Sequence, residues 1–474
     1  MTQLILGPII GGVSSTGANL WGRADGPGRL RAWLGYKADM SDAWLAGESP
    51  PLAAKDGFAG VAPASRLSPN NRYYYWLSLD DHPPGPALAP YPGFTTFPQI
   101  GERESFAFAF GSCFRPIGEQ SGQIFRTIAE RSQEDNLRFI LLLGDQIYAD
   151  DYHFNGIGKV ATGLADYRAV YAYAFAWPPF RDLLASLPAF MTMDDHEVDD
   201  DWTWKDSQRA QAQIPIWDRV FRWLQGRPQE EWQIPRQRVQ DALQAYWEHQ
   251  GMHAPRLALP PDLTAEGQYG LATADPGSLA YAFTCGAAAF FVLDTRTMRI
   301  KSRAETRMLG EVQWQILENW LLAVKDTYPV KFLATSSALL FDMWLDFARD
   351  RWAAFPDERE RLLRFLAEHG IEGVYLLAGD LHSAHAIHVG LNGPQGRGLS
   401  LWEFCASPFE QAPNWFSSRT YRPFRSEAVK SQKLYFTVPQ HNFGLVRVDF
   451  SNSNNPGVRF EIYGRTGELL GEAG

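Results

Sequence analysis

Four short clusters carry residue types able to hold ions or move protons: Gly111-Ser112-Cys113, Gly144-Asp145-Gln146-Ile147-Tyr148, Asp194-Asp195-His196-Glu197 and Gly379-Asp380-Leu381-His382. Each follows a near-continuous apolar run of strand length, namely Phe106–Phe110, Phe139–Leu143, Ala189–Met193 and Gly373–Ala378. In open α/β sheets the carboxyl ends of the strands gather at one edge, where ligands bind. The clusters are therefore expected to share one rim. Carboxylates brought together repel and resist ionisation unless a cation compensates them, so a metal centre is the economical reading.

The ligand types narrow the metals. A thiol of pKa about 8.5 and a phenol of about 10 become anionic most readily at a strong Lewis acid, which favours ferric iron for Cys113 and Tyr148. Oxygen-only ligation favours a hard second ion such as calcium, with other divalent ions as alternatives. Asp380 and His382 lie two apart, so at an extended strand end both are expected to point the same way and reach neighbouring ions. Asp145 and Tyr148 lie three apart, which suits one turn after a strand.

His196 sits among carboxylates that should hold it protonated near neutral pH, so it is assigned as the proton donor to a leaving oxygen. Arg296 and Arg299 follow the strand Ala288–Leu293 and offer guanidinium groups to a phosphoryl oxygen. The alternative, favoured here for Arg296, is a structural brace with Asp294. Asn442 is a candidate for the rim, although Asn-Phe-Gly is also an ordinary turn. Trp202 and Trp204 follow the acidic run and are candidate walls of a substrate entrance. Six acidic residues lie between Asp194 and Asp201, and the roles of Asp199, Asp200 and Asp201 stay open because helix starts also favour acids. Cys285 and Cys405 are read as small buried hydrophobes.

The four clusters in this order, with Phe-Val-Leu-Asp-Thr-Arg at Phe291–Arg296 and Asn-Phe-Gly at Asn442–Gly444, resemble the PhoD-like alkaline phosphatases, a branch of the calcineurin-like metallophosphoesterases. The opening L-G-P-I-I-G-G-V-S-S-T-G-A-N-L-W is similar to their N-terminal β-sandwich. The resemblance implies that Asp145 bridges two metal ions. Cys113, Tyr148 and His382 would then complete a ferric side, and Asp195 and Asp380 would hold the second ion. Asp195 stands where the wider superfamily usually has Asn, and Asp380 where it usually has His, which implies a harder second site suited to calcium.

The implied reaction is hydrolysis of phosphate monoesters or diesters by a hydroxide activated between two metals about 3.5–4 Å apart. The implied partner is a small phosphoester. A phospholipid is among the candidates, by a phospholipase D-like activity on the same fold. From another class, a non-catalytic calcium-binding module would explain the acid clusters but has no need of Cys113 or Tyr148.

The elements that must position these residues form an α/β protein. Up to residue 98, short β-type runs such as Ala18–Arg23, Arg29–Gly35 and Arg72–Leu79 alternate with turn residues, which predicts an N-terminal antiparallel β-sandwich of fibronectin or immunoglobulin type. Prolines from Pro83 to Pro98 mark a boundary near residue 100. Residues 104–474 read as a metallophosphoesterase-type αββα sandwich, with further strands at Lys331–Ala334 and helices at Ser121–Glu134, Glu311–Lys325 and Asp357–His369. Two long segments, Ala149–Leu187 and about 202–274, exceed ordinary connections. The second is rich in helix formers and is expected to be a helical insertion that forms a lid or wall.

Composition excludes several classes. The 474 residues carry 44 basic and 54 acidic side chains, a net charge of −10, which argues against a sequence-independent nucleic-acid scaffold. Three scattered cysteines make no disulfide framework. No apolar run reaches the ~18 residues of a membrane helix. Met1 to Gly12 lacks a basic n-region, so the expected location is cytoplasmic as written, or exported if a leader was removed. Oligomeric state has no signature in the sequence.

Overall fold

The computed structural model describes residues 2–118, 121–203, 220, 224, 234–256, 258, 278–301, 305–344, 350–396, 398–452 and 455–474. The N-terminal part is built from two antiparallel sheets. Strands Leu4–Gly11, Gly17–Ala24 and Ala59–Ser65 form one; Trp44–Glu48, Leu30–Gly35, Arg72–Leu79 and Gly93–Thr95 form the other. Their alternating patterns turn Leu20, Leu30, Leu34, Ala62 and Tyr75 into a shared core.

Two further sheets follow. The six-stranded sheet runs in the order Ala189–Thr192, Leu137–Leu143, Phe106–Gly111, Asn442–Asp449, Gly457–Gly464, Leu469–Ala473. Its first three strands are parallel and its last three antiparallel. The seven-stranded sheet has Ala288–Val292, Val330–Ser337, Val374–Gly379 and Gly398–Cys405 as a parallel centre. Antiparallel strands flank that centre, Tyr281–Cys285 on one side and Ala384–Asn392 with Val429–Val438 on the other.

The parallel strands are buried on both faces, as their continuous apolar sequences require. The two sheets meet through aromatic rings set edge-on: Phe108 against Phe290 at 5.5 Å and Phe332 at 5.2 Å, and Phe139 against Phe290 at 5.5 Å. Helices Gln123–Glu134, Leu164–Phe175, Pro178–Ser186 and Arg236–His249 share a core with the outer face of the first sheet. Helices Glu311–Val324 and Pro356–His369 cover the second. The part that follows the N-terminal sheets is thus an αββα sandwich, with one helix started by Pro356 and stopped by Gly370 in the left-handed conformation.

The two long segments hold helices. In Ala149–Leu187, Leu164–Phe175 and Pro178–Ser186 are helices that pack in the core. In the region 202–274, expected to be a helical lid or wall, the described helix Arg236–His249 stands as a wall of the core. It packs against Leu164–Phe175 and is joined to the N-terminal sheets by a polar seam. There the Trp21 indole N–H donates to the Glu248 carbonyl at 2.8 Å, and the Arg168 guanidinium grips the Glu248 carboxylate at 2.7 Å. Its neighbours 204–219, 221–223, 225–233, 257 and 259–277, Trp204 included, lie outside the described residues. Among the described residues no helix is long and apolar enough to cross a membrane.

Candidate metal centre

The four clusters converge. Strand Phe106–Gly111 ends at Cys113, Leu137–Leu143 at Asp145, Ala189–Thr192 at Asp194 and Asp195, and Val374–Gly379 at Asp380 and His382. Ligand atoms of Cys113, Asp145 and His382 lie within 4.8 Å of one another, as do those of Asp145, Asp195 and His196, and those of Asp145, Asp194 and Asp380. Asp145 belongs to all three groups. Its Oδ2 accepts from the Cys113 thiol and from the Tyr148 hydroxyl, each at 3.3 Å.

Close approach explains the glycines of the motifs. Gly144 has φ +97°, and a Cβ there would sit 2.4 Å from the Asp194 Cβ. A Cβ on Gly379 would come 2.5 Å from Ser112 Oγ, the atom that accepts the Asp380 N–H at 2.9 Å. Beyond the glycines, Cys113, Asp145, Asp380 and His382 adopt φ of 65°, 57°, 64° and 54°. Left-handed backbone at non-glycine residues is costly and clusters where surrounding structure enforces it for a functional geometry. Asp380 and His382 therefore do not leave an extended strand in parallel, as their spacing suggested. Left-handed turns send them to different groups, Asp380 towards Asp194 and His382 towards Cys113.

Electrostatically the constellation lacks positive charge at its centre. Burial, then the charges of Asp145 and Asp380, drives the Cys113 thiol well above its ordinary pKa. Burial, then Cys113 and Asp145, does the same to the Tyr148 phenol. Asp145 is raised by burial and by Asp195, Asp194 and Glu197, against the opposing charge of His196. Burial, reinforced by the His196 charge, holds His382 down at about 4, the neutral form that ligates metals. Buried oxygens Asp145 Oδ1 and Asp194 Oδ2 have no hydrogen-bond partner, while Asp195 Oδ1 faces the Arg296 guanidinium at 3.4 Å. Unpartnered buried carboxylate oxygens beside a thiol and a phenol fit cations, which would reverse the upward shifts of Cys113, Tyr148 and Asp145 and keep His382 neutral.

Supporting groups fix the frame. Glu197, fully buried, accepts the backbone N–H groups of Asp145, Gln146 and Asp194 at 3.2, 2.9 and 2.9 Å, tying two ligand loops together. His196 Nδ1 pairs with Asp150 Oδ1 at 2.8 Å, which leaves Nε2 for the rim. Burial alone would lower His196, but Asp150, Asp145 and Asp195 together raise it well above the ordinary imidazole value.

Residues 106–456 match the PhoD-like phosphatase family. The chain belongs to that family. It is 26% identical over 362 residues to alkaline phosphatase D of Bacillus subtilis (strain 168), an alignment covering 69% of this chain and 54% of that protein. The chain thus spans about half the length of the curated relative it matches. Among solved structures it is similar to one titled as the structure of PhoD, with TM-score 0.67, 19% identity, 100% of this chain and 93% of that one. It is also similar to the purple acid phosphatase PPD1 from yellow lupin (Lupinus luteus) seeds, with TM-score 0.58, 11% identity, 98% of this chain and 73% of that one. Both likenesses concern the metallophosphoesterase fold.

In this member of the family, three candidates for substrate contact are not at the solvent side of the rim. Arg296 is wholly buried, with its guanidinium shared between Asp194 and Asp350, so it braces the metal centre. The brace expected with Asp294 exists only through the backbone, where the Arg296 N–H donates to Asp294 Oδ1 at 3.1 Å. Trp202 is buried in the helix-covered core, where apolar packing claims its ring. Asn442 is also buried and donates to the carbonyls of Ser407 and Gln440 at 2.6 and 2.7 Å. It steadies Ser407, whose hydroxyl donates to the Cys113 sulfur at 3.3 Å.

Sequence reasoning did not single out Asp150 or Asp350, and it passed over Asp194 in favour of its neighbour. Asp194 completes the group containing Asp380, whereas Asp195 also groups with Asp201 and Asp350. Asp199 is bound to Arg238 on helix Arg236–His249, so it anchors that helix.

Proposed function

We propose that the protein is a metal-dependent phosphoester hydrolase, in which Asp145 would be the residue shared by two cations. Ferric iron is assigned to the side of Cys113, Tyr148 and His382, because thiolate and phenolate favour a strong Lewis acid. Calcium or another hard divalent ion is assigned to the oxygen side, with Asp380, Asp194 and Asp195 as its candidate holders. When bound, the cations neutralise the phosphoryl oxygens and lower the pKa of a water.

The chain's own residues do the rest. Asp150 orients His196 through Nδ1. The protonated imidazole can then give its Nε2 proton to the departing alkoxide, which matters most when that oxygen is a poor leaving group. Glu197 and Arg296 hold the ligand loops so that the reacting groups need no rearrangement.

One observation carries the reading: four separate strand ends bring thiol, phenol, imidazole and acid groups onto Asp145 while leaving its Oδ1 unpartnered. A calcium-binding module would leave Cys113 and Tyr148 without a purpose. The test is turnover of p-nitrophenyl phosphate and bis(p-nitrophenyl) phosphate by the purified protein and by Asp145→Asn. The variant is expected to lose metal and more than about a hundredfold in rate on both esters. Unchanged turnover in Asp145→Asn contradicts the proposal, and the ratio of the two substrates separates phosphatase from diesterase.

A further inference from the structure

Beside the metal centre the chain turns outward. The Asn414 N–H donates to the His382 carbonyl at 2.7 Å, and the chain then passes through the short helix Ser417–Thr420 into Tyr421–Arg422. That pair bonds antiparallel to Asp342–Met343, and the next residue, Trp344, donates its N–H to the Thr420 carbonyl at 2.9 Å. Trp344, Trp415 and Phe416 are 70%, 57% and 45% exposed. Exposed large apolar side chains gathered on a surface mark an interaction site.

The same segment carries Arg419, Arg422 and Arg425, all exposed. Among the described residues none of the three has a carboxylate partner, in a protein of net charge −10. Arg422 lies over the Trp344 ring at 5.9 Å.

We propose that this aromatic and cationic surface docks on an anionic lipid bilayer. Tryptophan and phenylalanine enter the interfacial layer of a membrane, and adjacent guanidinium groups engage lipid phosphates. Single-stranded nucleic acid is the poorer fit, since it stacks on free ring faces and Arg422 already covers a face of Trp344. The surface seats the metal centre's flank against the bilayer. It goes beyond the hydrolase reading, because the readout is partition onto vesicles and not turnover, and Asp145→Asn should float as the native protein does.

The test is flotation of the purified full chain with vesicles of phosphatidylcholine alone or mixed with phosphatidylglycerol, at low and raised salt. The protein is expected to float with the mixed vesicles only, and less as salt rises. Combined Arg419→Gln, Arg422→Gln and Arg425→Gln should weaken partition about a hundredfold. Combined Trp344→Ser, Trp415→Ser and Phe416→Ser should weaken it with melting temperature unchanged. Absence of flotation by the native protein, flotation of either variant equal to that of the native protein, or binding to soluble oligonucleotide in place of vesicles overturns the proposal.

Discussion

His196 at the metal rim and His249 at the seam with the N-terminal sheets are both enclosed, and their surroundings drive them apart. Around His196 the carboxylates of Asp150, Asp145 and Asp195 overcome burial and hold the ring charged. Around His249, burial and then the positive charge of Arg23 push the pKa down to about 3. Its Nδ1 donates to the Ala245 carbonyl at 2.8 Å, so Nε2 is free to accept from Arg23 at 3.2 Å, a neutral ring with both nitrogens used. The His249 ring is thus satisfied within the protein, although its neighbour His253 leaves Nδ1 without a hydrogen-bond partner. The rim keeps unpartnered oxygens and an excess of negative charge, and needs cations to balance them.

The largest effect that sharpens this contrast is catalytic. His196→Ala should slow esters with poor leaving groups by about 10²–10⁴-fold and p-nitrophenyl esters far less, because p-nitrophenolate departs without a proton. Equal losses on both would remove the acid role and with it the reason for the charged ring. Asp150→Asn should show the same leaving-group bias in weaker form.

Next comes the response of stability to pH, which should have opposite signs in the two regions. Glu197 is raised by burial from an ordinary carboxyl value to about 7. In metal-stripped protein the unfolded chain ionises this group first as pH rises above about 4.5, so stability should fall towards pH 7. Added cations should restore it, measured as melting temperature against pH with and without chelator. At the seam, His249 and His253 are lowered by burial to about 3 and about 4. Above about 6.5 both states are neutral. As pH falls below that value the unfolded chain binds protons first, costing about 1.4 kcal/mol per pH unit per histidine. His249→Phe should flatten that acid limb, and an unchanged limb would contradict the assignment.

The smallest effect expected is Trp21→Phe, which removes the indole hydrogen bond to Glu248 and should cost about 1 kcal/mol with turnover unaltered.

Much of the rim was legible because chemistry-bearing residues directly follow apolar strands, as Asp145 follows Leu137–Leu143. Its wiring was less so. Arg296 could be paired with Asp294 from proximity in sequence, but its partners Asp194 and Asp350 are 102 and 54 residues away. Asp150 reads as one more acid in a turn until the fold sets it against His196, 46 residues on. Helix Leu164–Phe175 escaped notice because its Tyr167, Val170, Tyr171 and Phe175 are claimed by the core, while the flanking Gly163 and Pro178 look like loop residues. Asn442 was ambiguous for a related reason. Its strand begins at that residue, and only the tertiary neighbour Ser407 explains the side chain.

The most direct measurement is metal content and visible absorption of the purified protein alongside its turnover. The account predicts iron together with a hard divalent cation, and a colour from thiolate or phenolate ligation that is lost in Cys113→Ser or Tyr148→Phe. A colourless, iron-free protein that hydrolyses phosphoesters at full rate would contradict it.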